Sequence, residues 1–264
     1  MDGQFVKKET LETGRAAPRR PWWRKAWNLL QFAFTLAWTA GCILLAIAVL
    51  KLTGDPRRPL RMASKLWAPG LMGPATTSFD VQGADTIDWT RAHLIVSNHQ
   101  SVIDVCSLFM AVPVPLRFLL KQEMTRMPFV GWYAKSTGML FIDRDNPRAA
   151  PAMLRAAAAM LSEGWQLCVF PEGTRSRDGI VGEFKAGPFE SAIRAGVEVL
   201  PVALDGARQV LPSDGFAANP GPIKLRFGTP IATAGEGGIR DRNALAQAAH
   251  AQVLALLENG GRVE

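Results

Sequence analysis

The sequence predicts an α/β fold: a mostly parallel sheet flanked by helices, preceded by an N-terminal hydrophobic, membrane-associated helical segment. Three observations predict it. No residue from Ala26 to Leu50 is charged. Beyond Pro74, short apolar runs alternate with amphipathic or alanine-rich stretches. The polar motifs of this region follow apolar runs directly, at the strand ends where open α/β sheets place ligands. At 264 residues the chain has room for one sizeable domain and a short accessory segment.

Residues 1–25 read as a basic tail carrying Lys7, Lys8, Arg15, Arg19, Arg20, Arg24 and Lys25. Residues 26–74 read as the membrane-associated segment. As a helix, Ala26–Leu50 would extend ~37 Å, enough for a ~30 Å hydrocarbon core. The run is too long for a signal-peptide core, lacks a clean small-residue cleavage site and is followed by Lys51, Arg57 and Arg58, which favours a retained anchor. Basic residues flank both ends, so the positive-inside rule gives no vote on orientation. A single crossing would put the rest of the chain outside, whereas a re-entrant hairpin would keep both flanks at the cytoplasmic surface. Its second arm would be Arg61–Met72, with Met62, Leu66, Trp67, Leu71 and Met72 apolar, Lys65 snorkelling, and Pro69-Gly70 as an interruption.

Residues 75–264 carry the α/β domain. Strands are expected at 79–82, 93–97, 117–121, 139–143, 166–170, 199–203 and 223–227, each bounded by Gly, Pro, Asn or Asp. Helices are expected at 101–110, 149–162, 188–195 and 241–258, with a short one at 128–135 starting at its proline. Eight Trp against one Tyr suits a headgroup boundary. The net charge of +7 fits nucleic acid, anionic lipid or phosphorylated ligands alike. Cys42, Cys106 and Cys168 lie far apart, with no C-x-x-C pair and no histidine cluster, so neither a disulfide framework nor a zinc site is suggested.

Two motifs carry chemistry. Asn98-His99-Gln100-Ser101-Val102-Ile103-Asp104 follows the run Leu94-Ile95-Val96, which puts His99 at a strand-to-helix junction with Asp104 able to fold back onto it. A carboxylate on one ring nitrogen fixes the tautomer and frees the other nitrogen to take a proton from a hydroxyl. No G-x-S-x-G is present, so the serine-hydrolase form of such a pair lacks its third member. His93 and His250 lack a partner pattern and read as structural. The second motif, Pro171-Glu172-Gly173-Thr174-Arg175-Ser176, follows Leu167-Cys168-Val169-Phe170 and suits an anion: Arg175 as a paired donor, Gly173 for close backbone approach, Thr174 and Ser176 as hydroxyl donors. Glu172 would orient the arginine or bind a ligand hydroxyl. Lys121 and Arg144, each at or just beyond a strand end, bring further cations to the same sheet edge, and Phe184-Lys185-Ala186-Gly187 opens a helix.

With these residues in order, the sequence resembles the glycerolipid acyltransferases. Four blocks match: Asn98-His99 through Asp104, Gly138 through Arg144, Phe170 through Ser176, and Val199-Leu200-Pro201-Val202. The resemblance implies His99 as general base, Asp104 as its orienting partner, and Glu172, Gly173, Thr174 and Arg175 at the acceptor site, with Arg144 and Lys121 on its phosphate. It implies lysophosphatidic acid as acceptor, acyl-CoA or acyl-carrier protein as donor, no metal and no bound cofactor. It also implies a hydrophobic helix in the cytoplasmic leaflet of a bacterial inner membrane. Ala186-Gly187-Pro188 departs from the family's usual Lys-Gly or Arg-Gly continuation, which leaves the role of Lys185 open. Three other readings remain: another acceptor such as a lyso-ornithine lipid, a non-catalytic lipid-binding protein, and, last, a nucleic-acid binder, for which the cations lie beside the hydrophobic segment rather than interleaved with aromatics.

Overall fold

The computed structural model describes residues 22–212 and 219–258. The basic tail therefore lies outside the described residues except for residues 22–25, which are already helical. Helix α1 (Trp22–Thr53) turns at Gly54 into α2 (Arg57–Met62), a π-helical turn (Ala63–Trp67) and α3 (Ala68–Met72). Helical structure thus continues through the expected interruption. The wide turn, closed by Ala68 N–H to Ala63 O, accommodates Pro69, whose ring and missing N–H a regular i→i−4 ladder would not. Gly70 is needed for the hairpin itself, since a Cβ there would lie 2.5 Å from the Trp38 indole. The arms are pinned at this level by Trp38 Nε1–H to Trp67 O (3.2 Å) and Trp67 Nε1–H to Thr39 Oγ1 (3.1 Å).

The sheet and its helices follow: β1 (Thr76–Gln82), β2 (His93–Ser97), α4 (Ile103–Ala111), β3 (Leu116–Lys121), α5 (Val130–Ser136), β4 (Leu140–Ile142), α6 (Ala150–Ser162), β5 (Gln166–Val169), α7 (Phe189–Ala195), β6 (Glu198–Asp205), α8 (Ala207–Val210), β7 (Gly221–Phe227) and α9 (Arg242–Glu258). All seven expected strands form, in the order β1-β7-β6-β2-β5-β3-β4. Every neighbouring pair is parallel except β6 and β7. The short helix begins at Val130 rather than at Pro128, because Phe129 takes a φ of 61° and cannot join it.

Both sheet faces are buried, which explains the unbroken apolar runs. Along β2, Ile95 faces a core shared with Leu60, Met72, Phe109 and Phe118. Leu94 and Val96 face the other core, with Leu161, Phe189 and Val253. The second arm of the hairpin is thus part of the first core. At the turn, the Trp165 ring meets both Arg57 (4.8 Å) and Arg117 (3.5 Å), a pair of cation–π contacts that ties the hairpin to the amino end of β5.

Candidate active site

β2 and β5 are adjacent and parallel, with Val96 opposite Val169, so the two motifs leave the sheet side by side at its carboxyl edge. Asn98 extends the ladder by one rung: its Nδ2 donates to Leu204 O and its Oδ1 accepts from Leu204 N–H, both at 2.8 Å. The backbone is therefore fixed one residue before His99.

Asp104 is fully buried at the start of α4. Its Oδ2 accepts from His99 Nδ1–H (2.8 Å), Gln100 N–H (2.6 Å) and Ser101 N–H (2.8 Å). A carboxylate acceptor puts the ring proton on Nδ1 and leaves Nε2 with its lone pair. Phe170 stacks on the imidazole with centroids 4.0 Å apart and planes at 15°, walling one face. The His99 side chain stays 19% exposed, so the ring remains reachable.

Glu172 uses both oxygens on backbone amides: Oε1 accepts from His99 N–H (2.7 Å) and Oε2 from Gly182 N–H (2.9 Å). Burial raises its carboxyl pKa, while these two N–H donors and the nearby His99 pull the other way. Ser176 N–H donates to His99 O (2.8 Å) and Gln100 Nε2 donates to Gly179 O (3.1 Å), so the segment after Glu172 is laced to the histidine motif.

A cationic corner lies beside this segment. Gly173 has a φ of 82°, and a Cβ there would sit 3.0 Å from Lys185 Nζ and 3.6 Å from Arg144 Cζ. Partial burial lowers the Arg144 pKa, opposed by Glu123. Lys121 ends the neighbouring strand opposite Ile142, two residues before Arg144, and is exposed. Thr174 and Arg175 are exposed on the turn. Of the residues singled out from sequence, the structure joins His99, Asp104 and Glu172 through hydrogen bonds and sets Gly173 against Arg144. Lys185, whose role the sequence left open, joins the corner; its backbone N–H donates to Pro171 O (3.1 Å), which holds it beside the turn. Phe170 and Gly182 were missed, and only the β2–β5 register reveals the first.

The serines nearest the histidine are engaged elsewhere: Ser101 Oγ donates to Leu211 O (2.7 Å) and Ser176 Oγ to Asp178 Oδ1 (2.8 Å). The fold and site therefore define a class, an open α/β sheet carrying at its carboxyl edge a carboxylate-held histidine with one ring nitrogen placed to accept a proton.

The comparisons with known proteins agree with that class. Residues 78–205 match the family described as Acyltransferase. A 1-acyl-sn-glycerol-3-phosphate acyltransferase of Pseudomonas aeruginosa is 33% identical over 180 residues, covering 67% of this chain and 69% of that protein. A chloroplastic 1-acyl-sn-glycerol-3-phosphate acyltransferase of Brassica napus is 31% identical, covering 73% of this chain. The crystal structure of the 1-acyl-sn-glycerophosphate (LPA) acyltransferase PlsC from Thermotoga maritima superposes with a TM-score of 0.75 at 26% identity, over 91% of this chain and 99% of that one. The chain belongs to the acyltransferase family. It spans 58% and 56% of the length of its Brassica napus and Arabidopsis thaliana relatives.

Proposed function

We propose that the chain transfers a fatty acyl group from acyl-CoA or an acyl-carrier-protein thioester to the free hydroxyl of lysophosphatidic acid, giving phosphatidic acid. The observation that carries this reading is the juxtaposition of an open His99 Nε2, fixed through Nδ1 by buried Asp104, with the cationic corner at Gly173. Arg144 and Lys185, with Lys121 and Arg175 at the rim, hold the acceptor's phosphate. The acceptor hydroxyl then lies beside His99, an orientation worth a large part of a bimolecular barrier. Nε2 takes the hydroxyl proton as the oxygen attacks the thioester carbonyl. The tetrahedral oxyanion collapses, the C–S bond breaks, and the imidazolium returns its proton to the leaving thiolate. Ester and free thiol are the products. Glu172, with both oxygens on backbone amides, positions His99 rather than touching the acceptor.

The same proposal puts the chain at the cytoplasmic face of a bacterial inner membrane, with α1 entering one leaflet. Support comes from how α1 is divided. Ala26–Thr53 is long and apolar enough to cross a membrane, but from Trp38 onward it packs on the second arm. The free part, residues 26–37, would extend only ~18 Å, short of a ~30 Å core.

The test is acyl transfer by the purified chain and by His99→Ala, using labelled acyl-CoA or acyl-carrier protein with lysophosphatidic acid. Transfer lost in the variant is the expected result. Transfer to a lyso-ornithine lipid alone would keep the base and change the acceptor; none to either, from both donors, would sink the reading.

A further inference from the structure

We propose that Met127, Phe129 and Trp132 form a second lipid-contacting surface, an apolar knuckle that docks on an anionic bilayer and turns the catalytic edge toward it. The inference rests on the membrane association proposed above but concerns a separate part of the chain. Met127 is 49% exposed and Trp132 51%, large apolar side chains left outside both cores. Phe129 packs on Trp132 with ring centroids 5.1 Å apart. Phe129 is also the one non-glycine residue with positive φ among the described residues, a strained conformation that persists only where its surroundings enforce it. They do so here. Gly131 N–H donates to Met127 O and Tyr133 N–H to Phe129 O, both at 2.9 Å, and a Cβ on Gly131 would lie 2.6 Å from Thr125 O. The knuckle's backbone is thus tied to the turns on both sides of it.

Placement and charge select the occupant. The knuckle follows β3, whose carboxyl end lies on the same sheet edge as His99, because β3 is parallel to β5 and β5 to β2. α3 leads into β1, which runs opposite to β2, so the hairpin arms also end at that edge and the free part of α1 projects there. Trp27, Leu29, Leu30, Phe34 and Leu36 on that part are exposed. α5 packs against α1, and Tyr133 Oη–H donates to Pro59 O (3.1 Å), which ties the helix behind the knuckle to the hairpin near its turn. From Lys121 to Lys135 the chain carries Lys121, Arg126 and Lys135 against the single carboxylate of Glu123. An aromatic tip with a cationic fringe suits a headgroup boundary with negative charge.

The experiment uses the full chain on phosphatidylglycerol-containing vesicles whose phosphatidylcholine is brominated in the acyl chain. Subtracting the emission of Trp132→Phe from that of the unmodified protein isolates Trp132. The expected result is that this difference emission is quenched by the brominated lipid. Vesicle-bound protein whose Trp132 is unquenched would overturn the knuckle while leaving the acyl-transfer reading intact; a chain that fails to bind vesicles would overturn both the knuckle and the membrane reading. Self-association through Trp132 in place of quenching would likewise overturn it. As a second measurement, Met127→Glu/Trp132→Glu should raise KM for vesicle-presented acceptor roughly tenfold, the ratio carried by ~1.4 kcal/mol. For a short-chain acceptor dispersed below its micellar concentration, KM should stay unchanged. Equal change with both presentations, or none with either, contradicts the proposal.

Discussion

Strand β2 has a histidine at each end, and the two stand in opposite surroundings. His93, at the amino end, is 1% exposed. Its Nδ1 lies 3.3 Å from Gln166 Oε1, its Nε2 lies 3.7 Å from Glu198 Oε2, and Trp89 packs edge-on against the ring. His99, just past the carboxyl end, has one nitrogen committed and one open. The strand is the same; the two ends differ in what surrounds the second nitrogen. A histidine sealed in the interior serves packing, whereas one with a single anchored nitrogen and an exposed edge can move a proton.

Substitutions at the two ends separate these roles. His99→Ala should lower the initial rate of acyl transfer by about 10²–10⁴-fold, the usual weight of a positioned general base, with little change in melting temperature. Asp104→Asn should cost activity of a similar order, since a neutral amide no longer stabilises the imidazolium that forms when Nε2 takes a proton. It should also destabilise the fold by ~1–3 kcal/mol through buried groups left unpaired, measured by denaturant titration. Glu172→Gln keeps one carbonyl acceptor and turns an amide N–H₂ toward a backbone N–H. A fall of roughly tenfold in kcat, matching the loss of one charge-assisted hydrogen bond, with KM for the acceptor unchanged, is the expected split; a raised KM instead would mean that Glu172 touches the acceptor. His93→Gln should leave activity intact and act on stability alone.

The pH dependence sharpens the last contrast. Burial is the largest cause holding the His93 pKa below its ordinary 6.5, with Gln166 and Glu198 opposing. The unfolded chain therefore binds the proton more readily than the folded one. The associated stability is fully present above pH 6.5 and is lost as pH falls through the folded pKa. His93→Gln should remove that acid slope from the denaturation midpoint while leaving the pH–rate profile of transfer in place. A rate profile that moved with this variant would break the distinction between the two ends.

Much of this was legible in the sequence because the strands are buried on both faces and stopped by turn residues; 93–97 was read to the residue. His99 and Asp104 were legible because both lie in one short stretch between the end of β2 and the first turn of α4. What was not legible depended on strand order. That Glu172 clamps the His99 backbone, that Phe170 roofs the imidazole and that Lys185 joins Arg144 all follow from β5 lying next to β2, which no local pattern encodes. Pro69-Gly70 misled because the proline is accommodated by a π turn and the glycine is a seat for an indole 32 positions earlier, Trp38.

The pairing of β1 with β7 also carries a consequence for synthesis. Thr76 finds its partner only when Gly221 has been made, so the sheet waits with one edge unformed while nearly all of the domain leaves the ribosome. α1, by contrast, is complete and apolar from the start. The helix is available while the strand that follows its hairpin still waits for β7, so the two ends of the hairpin meet the rest of the chain at different stages of synthesis.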